Sequence, residues 1–234
     1  MPKFFLDSAP GETALLDGED GRHIARSLRM RPGEALTLCD CRGTDYDGVI
    51  DTIDGESVTV RILGSRPCAA EPSLSAVLYQ CLPKLDKFDL VVQKSVELGV
   101  SRIVPVLSRR CVSRPDEKSL AKKLERWNRI AAEAAKQSGR GILPPVSPAL
   151  PFEQAVREAE SAGGVNLLFY EGGGVPIRER IGEATRTASL FIGPEGGFAE
   201  EEIALAKENG ITPITLGKRI LRTETAGMTT TAIL

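Results

Sequence analysis

Three glycine-bearing strings carry the most specific chemistry in the sequence: Glu171-Gly172-Gly173-Gly174, Gly193-Pro194-Glu195-Gly196-Gly197, and Gly217-Lys218-Arg219-Ile220-Leu221-Arg222-Thr223-Glu224-Thr225-Ala226. Each directly follows a short apolar run. Glycines at strand ends let the backbone approach a ligand closely and leave N–H and C=O groups unhindered, which suits a polar ring such as adenine. One such loop alone is a tight turn; three in succession mark a site. A triphosphate-binding loop is excluded, because no Gly-x-x-x-x-Gly-Lys-Ser/Thr string exists, and no Gly-x-Gly-x-x-Gly opens a βαβ unit. Gly217-Lys218 is followed by Arg219 rather than by a magnesium-binding hydroxyl, so nucleotide hydrolysis is not expected.

The remaining reactive side chains exclude further classes. His23 is the only histidine, so any hydrolase triad would have to use it and no histidine-rich metal site can form. Cys39, Cys41, Cys68, Cys81 and Cys111 are odd in number and none sit at Cys-x-x-Cys spacing, which predicts reduced structural thiols and no metal.

The elements that must position the loops change character near residue 70. Before it the pattern is short and strand-like, at Lys3–Leu6, Ala35–Cys39, Tyr46–Ile53 and Ser57–Leu63, with a helix over Asp20–Leu28. Asp54-Gly55 between two alternating runs is a hairpin signal, and the whole reads as a small β-barrel. The Gly/Pro punctuation of Leu63–Pro72 predicts a linker, with domains at 1–70 and 71–234. Beyond it strands (Leu74–Gln80, Arg102–Leu107, Val165–Tyr170, Ala188–Ile192, Ile214–Leu216) alternate with helices (Asp86–Leu98, Pro115–Gln137, Phe152–Glu160, Ala199–Asn209, and one from Thr223). Pro115 suits a first helical position, and Trp127 falls on the apolar face of its helix. This alternation predicts an α/β domain with a mainly parallel sheet, whose ligands bind beyond the carboxyl ends of the strands. The glycine strings stand at three of those ends.

Composition sets the outer limits. With 41% hydrophobic, 26% charged and 5% aromatic residues, the chain is an ordinary globular protein, and disorder, collagen and coiled coil are excluded as its main architecture. No run approaches the roughly 18 apolar residues of a membrane span, and the first residues lack a signal-peptide core, so a cytoplasmic location is expected. Charge is uneven: residues 1–83 carry 8 basic and 13 acidic side chains, 84–140 carry 14 and 7, and 141–234 carry 8 and 12. A basic middle segment is a candidate footprint for a polyanion.

Taken together, Gly193-Pro-Glu-Gly-Gly-Phe198 and Leu216-Gly-Lys-Arg-Ile-Leu-Arg-Thr-Glu-Thr-Ala226 resemble the RsmE family of ribosomal RNA methyltransferases, in the SPOUT superfamily. Gln93-Lys-Ser-Val-Glu-Leu-Gly99, Arg126-Trp127, Glu133-Ala-Ala-Lys-Gln-Ser-Gly-Arg140 and His23–Gly33 extend the resemblance over essentially the whole chain. It implies a PUA-like barrel joined to a catalytic domain with a C-terminal trefoil knot, working as a homodimer. It further implies S-adenosylmethionine-dependent methylation of N3 of one uridine in 16S ribosomal RNA of the small subunit. Lys3-Phe4-Phe5 stands where the family's pattern has Arg-Phe-Phe, keeping charge but weakening bidentate phosphate contact.

By that resemblance the cofactor is held by Gly193, Pro194, Glu195, Gly196, Gly197, Leu216, Gly217, Ile220, Leu221 and Arg222, with Tyr170 and Glu171 nearby. Arg222 is the first choice to stabilise charge on the uracil oxygens, with a salt bridge to Glu195 or Glu224 as its structural alternative. Glu224 is a second catalytic candidate, or a cap of the last helix together with Thr223. Phosphate contact is expected from Arg22, His23, Arg26, Arg29 and Arg31 in the first domain, and from Lys84, Arg109, Arg110, Arg126 and Arg140 in the second. Lys94 and Glu97 at i and i+3 suit a surface ion pair or a catalytic role. The rival readings are an RNA-binding assembly factor without transfer activity and a dinucleotide enzyme using Glu171–Gly174.

Overall fold

Asp54-Gly55 closes a hairpin as its turn chemistry requires, Gly55 taking a left-handed φ of 62°. The computed structural model describes residues 1–234 and divides them into two compact units, 1–71 with 135–143, and 72–134 with 144–234. The first unit contains β1 (Lys3–Phe5), β2 (Thr13–Leu16), α1 (Gly18–Arg22), which runs on as a π-helical turn over His23–Leu28, then β3 (Ala35–Cys39), β4 (Thr44–Asp54) and β5 (Ser57–Pro67). Its sheet order is β1-β3-β4-β5-β2, with β1–β3 parallel and the other pairs antiparallel. The sheet is a half-barrel whose edges β1 and β2 do not pair, so the expected barrel is open. Phe4, Leu16, Ile24, Leu36, Leu38, Ile50, Val58 and Val60 fill its concave side.

Two expectations fail here. Leu63–Pro67 is the second half of β5 rather than linker, because the β4 ladder extends to Thr44 opposite Pro67. Pro67 is tolerated at the strand's last residue, where its missing N–H interrupts no ladder. Lys3 is no phosphate contact. Its ammonium is 2.7 Å from Asp45 and donates to the Gly139 carbonyl at 3.0 Å, both within the first unit.

The second unit carries β6 (Ser75–Cys81), α2 (Lys87–Glu97), β7 (Arg102–Leu107), α3 (Glu117–Gln137, its last turn counted with the first unit), β8 (Leu150–Pro151), α4 (Phe152–Ala162), β9 (Val165–Phe169), β10 (Val175–Pro176), β11 (Thr187–Ile192), α5 (Glu200–Glu208), β12 (Thr212–Thr215) and α6 (Thr223–Ile233). The seven strands are all parallel in the order β10-β12-β9-β11-β6-β7-β8. Both faces are covered, so the central strands read as continuous apolar runs. Helix α3 starts two residues later than Pro115 predicts, because Asp116 accepts the Ser119 N–H at 2.8 Å and caps it. Trp127 is core as expected, tilted against Phe88 at 4.4 Å with its indole N–H on Asp89.

Candidate active site

Strands β12, β9 and β11 are neighbours in the sheet, so the loops that follow them emerge side by side at one edge. These are the three glycine strings. Between the first and third lies a cavity of about 290 Å³, lined by the predicted residues Tyr170, Glu171, Leu216, Gly217, Ile220 and Leu221. Phe169, Ile214, Thr215, Lys218, Arg219 and Ala226 also line it and were not predicted. The middle loop approaches through Gly197, whose φ is 66° and whose Cβ, if present, would lie 2.3 Å from Glu171 Oε1. The left-handed φ favours glycine at Gly197, while the neighbouring atom is the mobile end of the exposed Glu171 side chain.

The middle loop is tied down by groups from other elements. Gly197 N–H donates to the Pro194 carbonyl at 2.9 Å, closing the turn. Glu195 Oε1 accepts the Lys84 N–H at 2.9 Å, and Arg110 donates to the Gly196 carbonyl at 3.0 Å. Thr223, the first residue of α6, donates its hydroxyl to the Gly193 carbonyl at 2.6 Å and accepts from Gln80 Nε2 at 2.8 Å. Gln80 was not singled out by its residue type, and Thr223 only as a helix cap. The available signal was an amide ending the apolar run of β6, where a buried polar group needs partners.

Arg222 precedes α6, is exposed, and enters no salt bridge, so neither of its expected pairs with Glu195 and Glu224 forms. Glu224 instead meets Lys87 at 2.9 Å. Burial works to raise the Glu224 carboxyl, but the Lys87 hydrogen bond and the charges of Lys87 and Arg222 outweigh it and hold it below the usual carboxylate range. A carboxylate so stabilised is a poor proton acceptor. The capping expectation also fails: the α6 N-terminus has no side-chain cap, Thr223 being committed to Gly193 and Glu224 to Lys87.

The predicted cations have different fates in each unit. In the first, Arg22, His23, Arg26, Arg29 and Arg31 are exposed around the π-helical turn, with Arg22 and Arg26 both pairing to Glu56 and His23 edge-on to Phe4. Arg140 contradicts its expected phosphate role. Its side chain is 3% exposed and its guanidinium is taken by Glu71 at 2.7 Å, with Glu71 also accepting the Gly141 and Ile142 N–H groups. In the second unit Lys84, Arg109, Arg110 and Arg126 are exposed, Arg109 pairing with Glu201 and Arg126 with Asp89. Lys94 and Glu97 form an ion pair at 2.9 Å along α2. All five cysteines are free.

Residues 70–234 match the model of an RNA methyltransferase domain and residues 16–63 that of an RNA methyltransferase PUA domain, which defines the class. The chain is 33% identical over 229 residues to ribosomal RNA small subunit methyltransferase E of Mycobacterium bovis, covering 95% of this chain and 87% of the relative. It is 35% identical to the protein of that name from Aquifex aeolicus, covering 100% and 99%. A crystal structure of the Neisseria gonorrhoeae protein of that name bound to S-adenosyl methionine superposes with a TM-score of 0.85 at 34% identity, covering 100% of this chain and 96% of the other. This chain belongs to the ribosomal RNA small subunit methyltransferase E family.

Proposed function

We propose that this protein transfers a methyl group from S-adenosylmethionine to N3 of a specific uridine in small-subunit ribosomal RNA, presented within the small ribosomal subunit. The observation that carries the reading is the convergence of three glycine loops on one sheet edge beside the unpaired Arg222. The cavity residues fit the cofactor: Leu216, Ile220 and Leu221 offer apolar walls, and Gly217 offers backbone groups without side-chain obstruction. Glu171 supplies an acceptor for hydroxyl or amino groups. When bound, the cofactor supplies an electrophilic sulfonium methyl.

N3 of uracil is a weakly acidic imide flanked by two carbonyls, so methylation needs its proton removed and the resulting charge on the ring oxygens stabilised. Arg222 carries a permanent charge and serves as that stabiliser. Glu224, held ionised by Lys87, steadies the start of α6 and does not take the proton. Lys84, Arg109, Arg110 and Arg126 of residues 71–234, the methyltransferase domain, and Arg22, His23, Arg26, Arg29 and Arg31 of residues 1–70, the RNA-binding domain, make salt-dependent contacts to phosphate that set register. The target base must leave its stack to reach the pocket.

The trefoil knot, the cytoplasmic location and the homodimer belong to the same proposal. For the dimer, Leu90 of α2, Leu98 just after it and Ile233 of α6 support the reading, as apolar side chains left exposed on or beside two mutually packed helices. No helix is long and apolar enough to cross a membrane. The test is mass spectrometry of ribosomal RNA from cells lacking the protein, after isolated small subunits are incubated with the purified protein and labelled S-adenosylmethionine. One new N3-methyluridine, absent with Arg222→Ala, is the expected result. Methylation of a different base or RNA overturns the substrate, and absence of both transfer and cofactor binding favours a binding factor.

A further inference from the structure

Two buried side chains, Gln80 and Thr223, form a hydrogen-bonded chain to the Gly193 carbonyl of the middle glycine loop, and no part of the reaction as described uses either side chain. Gln80 stands near the carboxyl end of β6 and is 0% exposed. Its Nε2 donates to the Cys81 carbonyl at 3.2 Å and to Thr223 Oγ1 at 2.8 Å, and that hydroxyl donates in turn to the Gly193 carbonyl at 2.6 Å. A hydroxyl has one proton to give. The Gly193 carbonyl can only accept, so the Thr223 proton goes to it, and the Gln80 N–H bonded to the Thr223 oxygen holds the hydroxyl in that orientation. The amide orientation has a visible consequence: Gln80 Oε1 is buried without a hydrogen-bond partner. It faces Gly227 of α6, where a Cβ would lie 2.6 Å away. Glycine at this point lets the helix come down onto the amide.

Gly193 begins the middle glycine loop and Thr223 directly follows Arg222. We infer that Gln80 and Thr223 are positioning residues, a polar pin that fixes the cofactor loop and the Arg222 backbone to each other before either ligand arrives. The inference rests on the methyl-transfer reading for its function, though not for its geometry. A loop that enters binding already ordered does not lose that freedom on closing around the cofactor, so the pin acts on affinity.

The experiment measures S-adenosylmethionine binding by calorimetry and amide hydrogen exchange of Gly193–Gly197 in the ligand-free full chain. Thr223→Val keeps the shape and removes the hydroxyl; Thr223→Ser restores it. Thr223→Val is expected to raise Kd about tenfold and to speed exchange of the loop about tenfold, with Thr223→Ser within about twofold of wild type. Gln80→Met removes the orienting donor at similar volume and is expected to raise Kd about threefold, with Gln80→Met/Thr223→Val no weaker than Thr223→Val alone, because both act through one bond. Gln80→Met also serves if Thr223→Val does not fold. The pin is overturned if folded Thr223→Val binds within twofold of wild type, if Thr223→Ser is as impaired as Thr223→Val, or if the two substitutions add. Wild-type protein that binds no S-adenosylmethionine overturns the methyltransferase reading instead, while the exchange data still judge the pin.

Discussion

Two arginines, Arg140 expected on phosphate and Arg222 expected to stabilise charge on the uracil, end in opposite circumstances. In the first unit Arg140 is sealed against Glu71 and two backbone N–H groups hang from the same carboxylate, so the cation is part of what holds residues 135–143 to the sheet. At the carboxyl edge of the second unit Arg222 forms no salt bridge and is exposed, while Glu224, which feels its charge, is paired with Lys87. A buried ion pair defines a structure, because removing one partner strands the other. An unpaired cation beside an open cavity is available to a developing negative charge.

The contrast breaks first on Arg222→Ala. Methyl transfer should fall about 10²–10³-fold, measured by labelled methyl incorporation, with the denaturation midpoint unmoved. Equal activity would place the charge stabiliser elsewhere. Arg140→Ala should do the reverse, costing about 3 kcal/mol in urea denaturation while leaving S-adenosylmethionine affinity within twofold. A cofactor defect without destabilisation would dissolve the distinction.

The same pair has a pH signature. Burial pushes the Glu71 carboxyl up, but the Arg140 bonds and charge, with the Gly141 and Ile142 N–H groups, outweigh it and hold the pKa below the ordinary value near 4.5. The unfolded chain then binds the proton more readily, so this stability is present above about pH 4.5 and is lost as pH falls through the depressed folded value. Removing Arg140 leaves burial unopposed by its largest counterweight and moves the folded value back up, so the acid loss that belongs to Glu71 should shrink or reverse in a pH series of melting curves.

Gly227→Ala probes the second unit's interior, since the new methyl would press on Gln80 Oε1; a cost of about 1–3 kcal/mol is expected, with loop affinity falling alongside it. The smallest effect belongs to Leu85, an exposed leucine at φ 59° in the turn after β6. Leu85→Gly relieves the left-handed strain but adds freedom to the unfolded chain, so a net gain below about 1 kcal/mol is expected.

Legibility followed the range of the interactions. The hairpin at Asp54-Gly55 and strand Arg102–Leu107 were readable because turn chemistry and apolar period act over a few residues, and the helix from Thr223 was read correctly although the cap expected for it does not form. Strand β2, and the two-residue strands β8 and β10, left no pattern to read. The π-helical turn at His23–Leu28 shares its apolar positions with an ordinary helix, and the last third of β5 imitates a linker through its glycine and proline. In the site, the glycine strings and Arg222 were visible by residue type, whereas Gln80, and the tie to Gly193 of a Thr223 read only as a helix cap, became visible through their partners.

By itself, then, the sequence determined the local elements, the change of rhythm near residue 70, and glycines placed at three strand ends. Tertiary structure alone decided that those ends are adjacent, that Arg140 is spent on Glu71 across 69 residues of chain, and that Gln80 meets Thr223 across 143. The reason is physical. Propensities and turn preferences are summed over neighbouring residues, but the partner of a charge or a buried amide is chosen by which surfaces the packed sheet and helices bring within hydrogen-bond reach.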